Sequence, residues 1–176
     1  MKHTKKVAVA AILSSVSVIL IILGTYLQIL DITATALASF LIMLAVIELG
    51  GAYPYLIWLV SGTLALLLAP DKFGAVLYLL FGGIYPIFKA MFERLHPIVS
   101  WILKLSFFNT SLTLAVIVIN FVFGIPDSGI GFAAATYALG NLAFVLYDVA
   151  ATSAVTLYLI KLRKRLRLGN YFDKKL

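Results

Sequence analysis

The chain has 176 residues, of which 63% are hydrophobic and 12% charged, against roughly 45–50% and 25% in an ordinary soluble domain. Such a composition excludes a water-soluble globule, and at about 20 residues per crossing of a bilayer about 30 Å thick it leaves room for six or seven spans and no separate soluble domain. The lack of cysteine excludes disulfides, thiolate metal sites and cysteine nucleophiles, and the net charge of +7 has to be read from its distribution before it can suggest any partner.

A basic start, Met1 to Lys6, precedes an apolar run from Val7 to Leu30. That run is too long for a secretory signal, and no small-x-small cleavage site closes it. Six helices follow from the hydropathy, over about 7–30, 32–49, 53–69, 73–92, 98–123 and 132–162, within a single membrane domain 1–176. The breaks between them, Asp31-Ile32-Thr33, Gly50-Gly51-Ala52-Tyr53-Pro54, Ala69-Pro70-Asp71-Lys72, His96-Pro97 and Gly124-Ile125-Pro126-Asp127-Ser128-Gly129, supply the glycine, proline and aspartate that stop and start helices. Short connections make successive helices antiparallel neighbours, so the expected fold is all-α, a compact six-helix transmembrane bundle.

Six spans put the N-terminus, the breaks near residues 50 and 95, and the C-terminus on one side. That side holds 13 of the 14 lysines and arginines, all but Lys72, whereas Asp31, Asp71 and Asp127 lie on the other. The positive-inside rule then places both termini in the cytoplasm of a multi-pass cell-membrane protein. The sixth span is longer than a bilayer needs. Its last turns carry Lys161, Arg163, Lys164, Arg165 and Arg167, for which anionic lipid headgroups are the expected partner and nucleic acid is not.

Polar side chains at membrane depth are costly unless they are paired or line a cavity. In span five Asn109, Thr113 and Asn120 share one helical face, with Lys104 near its basic end; in span six Tyr137, Asn141, Asp148 and Thr152 share another. Counting 1.5 Å per residue from the connecting loop matches Asn120 with Tyr137, Thr113 with Asn141 and Asn109 with Asp148. The two stripes are either glue between packed helices or the lining of a cavity that recognises a small solute. On the second reading Asn109, Thr113, Asn120, Tyr137, Asn141 and Asp148 bind substrate. A carboxylate as deep as Asp148 should be protonated, paired with a cation such as Lys104 or Lys89, or in contact with water or ligand. Glu48 has Lys89 and Arg94 as candidate partners. Tyr78, Phe81, Tyr85 and Phe88 recur at helical spacing and either pack or wall a pocket, and Pro86 after Gly82-Gly83 should kink span four. In span one Ala10, Ala11, Ser14 and Ser15 form small-x-x-x-small pairs that suit internal packing or the docking of another membrane subunit.

His3 and His96 are not spaced for a metal, no serine has a nucleophile's glycine-rich setting, and there is no Walker-type loop. No catalytic residue, metal or cofactor is therefore expected, and an enzyme is the least favoured class. The exception would be an intramembrane lipid-modifying enzyme using Asp148 or Glu48 as general acid or base.

Six spans in this length, cytoplasmic termini, small residues on span one and polar residues on spans five and six resemble the S components of energy-coupling factor vitamin transporters. Those proteins dock through Ala-x-x-x-Ala in the first helix, where this chain has Ala10-x-x-x-Ser14 and Ala11-x-x-x-Ser15. The resemblance implies a solute-binding subunit for a vitamin-like nutrient, energised by a transmembrane coupling protein with two ATPase subunits. The segment from Pro70-Asp71-Lys72-Phe73-Gly74-Ala75 through Tyr85-Pro86-Ile87-Phe88-Lys89 also looks like uncharacterised membrane proteins of Gram-positive bacteria. The architecture resembles MreD-type cell-shape proteins too, which implies instead a non-transporting scaffold.

Overall fold

The computed structural model describes residues 3–27, 30–118, 121 and 134–162, with backbone alone at 162. They form six helices: α1 His3–Tyr26, α2 Asp31–Glu48, α3 Tyr53–Leu68, α4 Phe73–Phe92, α5 Pro97–Ile117 and α6 Ala134–Leu157, the last continuing as a π-helical turn over Tyr158–Leu162. All but α3 are long and apolar enough to cross a membrane, which marks a multi-pass membrane protein. The exception has 16 residues, about 24 Å of helix, because Pro54 starts it and the extended backbone at Ala69 before Pro70 ends it.

Local chemistry fixes the helix ends close to the expected boundaries. Gly50 and Gly51 take φ of 60° and 59°, left-handed backbone that lets α2 turn directly into α3. The Lys6 ammonium donates to the Leu49 carbonyl at the end of α2, and Lys72 donates to the Ala69 carbonyl at 2.6 Å after α3. Asp71 accepts the Phe73 N–H at 3.2 Å in the turn that leads into α4.

Neighbouring helices alternate in direction. Gly24 of α1 lies so close to α2 that an added Cβ would fall 2.4 Å from the Ala34 methyl, while at the other end Lys6 reaches Leu49. Gly62 meets Leu79 and Gly83 meets Trp58, which sets α3 antiparallel to α4. The starts of α1, α3 and α5 and the ends of α2, α4 and α6 therefore share one end of the bundle, the basic end, which carries Lys5, Lys6, Arg94 and Lys161.

The core of α1 to α4 is close-packed around Ile21, Ile42, Ile57 and Tyr78. Outward-facing Ile12, Ile19, Leu56, Leu67, Ile102, Leu142 and Leu146 give the surface its lipid-compatible character.

In α4 the expected kink is a wider rearrangement. Tyr78–Gly82 is a π-helical turn, Gly83 and Ile84 form a turn, and a new helical segment starts at Tyr85 with Pro86 in its first turn. Proline has no N–H to continue the ladder. The Gly83 N–H instead reaches back to Tyr78 O at 2.7 Å, and the Trp58 indole donates to the Leu79 carbonyl at 3.0 Å. Either side of this break two tyrosines point into different interiors: Tyr78 bonds Ser61 at 2.8 Å on α3, and Tyr85 bonds Asp148 on α6.

Candidate functional site

The helix α6 joins the bundle through both apolar and polar side chains. Its only buried residues among those described are Phe144, Asp148 and Ala151. Toward α5 its polar face forms a ladder. Asn109 and Asn141 exchange two amide hydrogen bonds of 2.9 Å, and the second amide hydrogens go to Leu105 O and Tyr137 O at 2.8 Å. The Thr113 and Tyr137 hydroxyls are 3.0 Å apart, and Thr113 also donates to Asn109 O at 2.8 Å.

The partners differ by one to two helical turns from those obtained by counting depth. Thr113 meets Tyr137, Asn109 meets Asn141 and Lys104 meets Asp148. Counting from a loop end inherits every uncertainty in that end, whereas the side chains settle where complementary groups satisfy one another. A reciprocal carboxamide pair is such a register, and it hands Asp148 a cation instead of Asn109. Asn120 lies outside the described residues.

At the basic end of the ladder is a ring of charge. Asp148, Lys89 and Lys104 are 2%, 4% and 5% exposed. The Asp148 carboxylate receives Lys89 and Tyr85 on Oδ1, the latter at 2.5 Å, and Lys104 on Oδ2 at 2.9 Å. Glu93 closes the ring by accepting both ammonium groups on Oε1, at 2.7 Å from Lys89 and 3.1 Å from Lys104. Lys89 also donates to the Thr152 hydroxyl at 2.8 Å, and Lys104 sits 5.3 Å from the Trp101 ring centre. Two cations and two anions cancel, so desolvation is offset by the mutual attraction and by the extra donors. The ring joins α4, α5 and α6. It also takes Lys89 away from Glu48, whose Oε1 accepts Tyr158 OH at 2.9 Å instead; Glu93 and Tyr85 were not foreseen as members.

Beyond Asp148 an aromatic layer, Phe81, Tyr85, Phe107, Phe108, Phe144 and Tyr147, separates the charges from the opposite end. Phe108 and Phe144 stack at 4.7 Å and Phe81 meets Phe144 edge-on at 5.8 Å. Of the tyrosine and phenylalanine stripe on α4, Phe81 faces this layer and Phe88 packs on Phe92 and Phe107.

On the far side of the layer is a cavity of about 320 Å³ between α2, α4, α5 and α6, near the lower end of ligand-sized pockets. Phe81, Phe108, Phe144 and Tyr147 form its floor, Leu77, Leu112 and Val116 its walls, and Ile32, Ala36, Leu139 and Ala143 its rim on α2 and α6. Those two helices touch at Ser39 and Tyr147, which hydrogen-bond, and at Glu48 and Tyr158. Past Tyr147 the cavity separates them. Exposed Ile32 and Leu139 place its mouth, among the described residues, on the lipid-facing side.

None of the described polar-stripe residues lines this cavity. Asn109, Thr113, Tyr137 and Asn141 use their hydrogen-bonding groups between α5 and α6, and Asp148 uses its carboxylate in the ring. On α6 the lining is the adjacent face, Thr136, Leu139, Gly140, Ala143, Phe144 and Tyr147, small, apolar or amphipathic residues that carry no strong polar signal in the sequence.

The small residues of α1 divide between the two alternatives. Ala10 and Ser14 are each 8% exposed, packed inside the bundle where a partner cannot reach them, whereas Ala11 and Ser15 face outward. Of the basic tail only Lys161 is described, and it is exposed at the end of α6; Arg163, Lys164, Arg165 and Arg167 lie outside the described residues. No cluster of three metal-ligating side chains occurs among the described residues. In comparison with known proteins, no protein-family model, no curated protein and no solved structure matches the chain.

Proposed function

We propose that this chain is a membrane-embedded binding subunit that takes up a small nutrient from the outer side and depends on an energising partner complex. The observation that carries the reading is the cavity of about 320 Å³ above the aromatic floor: a void of ligand size, bounded by four helices and entered between two that part. The ligand site is then the cavity, not the polar ladder, whose groups are taken up by one another.

In this reading α3 also crosses, which makes six spans, and the basic end faces the cytoplasm of the cell membrane, as 13 of 14 basic residues on one side favour. The cavity then lies in the outer half, where a binding subunit presents its site to incoming solute. Lys161, Arg163, Lys164, Arg165 and Arg167 rest on anionic headgroups. Ala11 and Ser15 are the small residues on α1 left for a transmembrane coupling subunit, the partner, with its ATPases, that the resemblance to S components implies. The role needs no catalytic residue.

The test is native mass spectrometry of the purified chain. A stoichiometric small molecule that is released from wild type and missing from Ala143→Phe and Ala36→Phe, both folded, is the expected result. No bound molecule in wild type would favour the second reading, a scaffold of MreD type, which the fully satisfied Asn109 and Asn141 pair supports because helix-to-helix glue is all that such a role asks of it.

A further inference from the structure

The walls of the cavity also say what kind of molecule fits it, an inference that rests on the cavity being the ligand site. Three lining residues carry a hydroxyl, Thr35, Thr136 and Tyr147. Two of these are already engaged: Thr35 donates to the Gly74 carbonyl at 3.4 Å and Tyr147 pairs with Ser39. The rest of the described lining is aliphatic, aromatic or glycine, and among the described residues no charged residue or carboxamide contributes. A polar solute would lose its water there and gain almost no hydrogen bonds in return, and each unpaired group makes its binding less favourable. Water fares no better, because an ordered molecule needs two to four polar partners.

The mouth selects in the same direction. It lies between Ile32 on α2 and Leu139 on α6, both strongly exposed, so the route in starts among hydrocarbon. The void reaches from the first turn of α2, at Ile32, to the aromatic floor at Phe81 and Phe144, and it runs along α5 from Val116 to Phe108. Eight residues of helix make about 12 Å, a slot for an extended chain more than for a compact ring system.

We propose that the cavity binds the hydrocarbon chain of a free single-chain amphiphile, fatty-acyl or isoprenoid, that enters from the outer leaflet between α2 and α6 and leaves its polar end at the headgroup level. The floor then stops the chain above the charge ring. Gly140, also in the lining, lets α6 approach α5 closely, since an added Cβ would sit 3.3 Å from Leu112 and 3.4 Å from Phe108.

The full chain in phosphatidylcholine nanodiscs tests this with a diazirine-bearing palmitate, added free, or with the same chain esterified in phosphatidylcholine. Expected is saturable photolabelling by the free acid at Leu112, Ala143 or Phe144, about tenfold above lipid-facing Leu142 and Leu146. Ala36→Phe and Ala143→Phe should each abolish it, and Leu142→Phe should not. Uniform, non-saturable labelling of lining and lipid-facing residues, or labelling by the phospholipid alone, would overturn the proposal, the latter identifying ordinary bilayer lipid as the occupant. A water-soluble molecule that co-purifies, is lost in both filling variants and leaves the palmitate unbound would overturn the chain chemistry while the cavity stood as the ligand site. If nothing bound to wild type were lost on filling, both readings would fall.

Discussion

Replacing Asp148 with asparagine keeps the shape of the side chain and removes the charge on which α4 and α5 converge. The carboxylate accepts from Lys89 and Tyr85 on one oxygen and from Lys104 on the other. An amide offers one acceptor and turns an N–H₂ group towards an ammonium. Both buried lysines would then depend on Glu93, whose side chain is 42% exposed and so contributes on the scale of a surface pair, about 0–1 kcal/mol. Removing one member of a buried ion pair typically costs about 3–5 kcal/mol, and we expect a loss of about 3 kcal/mol in Asp148→Asn, after the share that Glu93 retains. The assay is reversible unfolding in mixed micelles, titrated with dodecyl sulfate. Converting the buried members of the ring to apolar residues, with Tyr85→Phe, Lys89→Met, Lys104→Met and Asp148→Leu together, leaves no buried charge and frees the exposed Glu93 to hydrate. This variant should come within about 1 kcal/mol of wild type, because a buried ionic group and a well-packed apolar one are often close in stability. A single variant that loses less than about 1 kcal/mol, or a fourfold variant no more stable than the single one, would refute the account of the ring as a compensated charge cluster.

The ladder and the helix contacts are open to the same assay. Asn109→Ala and Asn141→Ala should each cost about 1–2 kcal/mol, and the double variant little more than either, since both remove the same reciprocal pair; additive losses would mean that the two amides act independently. Gly24→Ala should cost about 1–3 kcal/mol by forcing α1 from α2, and Ala34→Gly in the same chain should recover part of that, less about 1 kcal/mol for glycine within a helix. No recovery would show that the Gly24 and Ala34 contact is not what sets the helix separation. Trp58→Phe removes the indole donor to Leu79, and a loss of about 0.5–1.5 kcal/mol is expected; an unchanged stability would mean that the π-helical turn in α4 does not depend on it.

Much of the architecture follows from composition and local signals, because a helix that crosses lipid must satisfy its backbone within itself and so declares its length in its own sequence. The apolar runs, the glycines at 50 and 51 and the prolines at 54, 86 and 97 locate the helices within a few residues of where they lie. Periodicity likewise groups Asn109 with Thr113 and Tyr137 with Asn141, and the cost of a buried carboxylate names Lys89 and Lys104 as partners for Asp148. Which residue faces which was decided by tertiary structure. The register of α5 against α6 slides by one to two turns to join matching amides; Ala10 and Ser14 turn inward while Ala11 and Ser15 turn outward, a difference of one position on the same helix; and Glu93 enters the ring although it is exposed and distant in sequence from Asp148. The cavity itself is invisible in one dimension. Gly140, Ala143 and Thr136 carry no strong chemistry, and they line a site only because α2 and α6 diverge beyond Tyr147, a consequence of how six helices pack and not a property of any one of them.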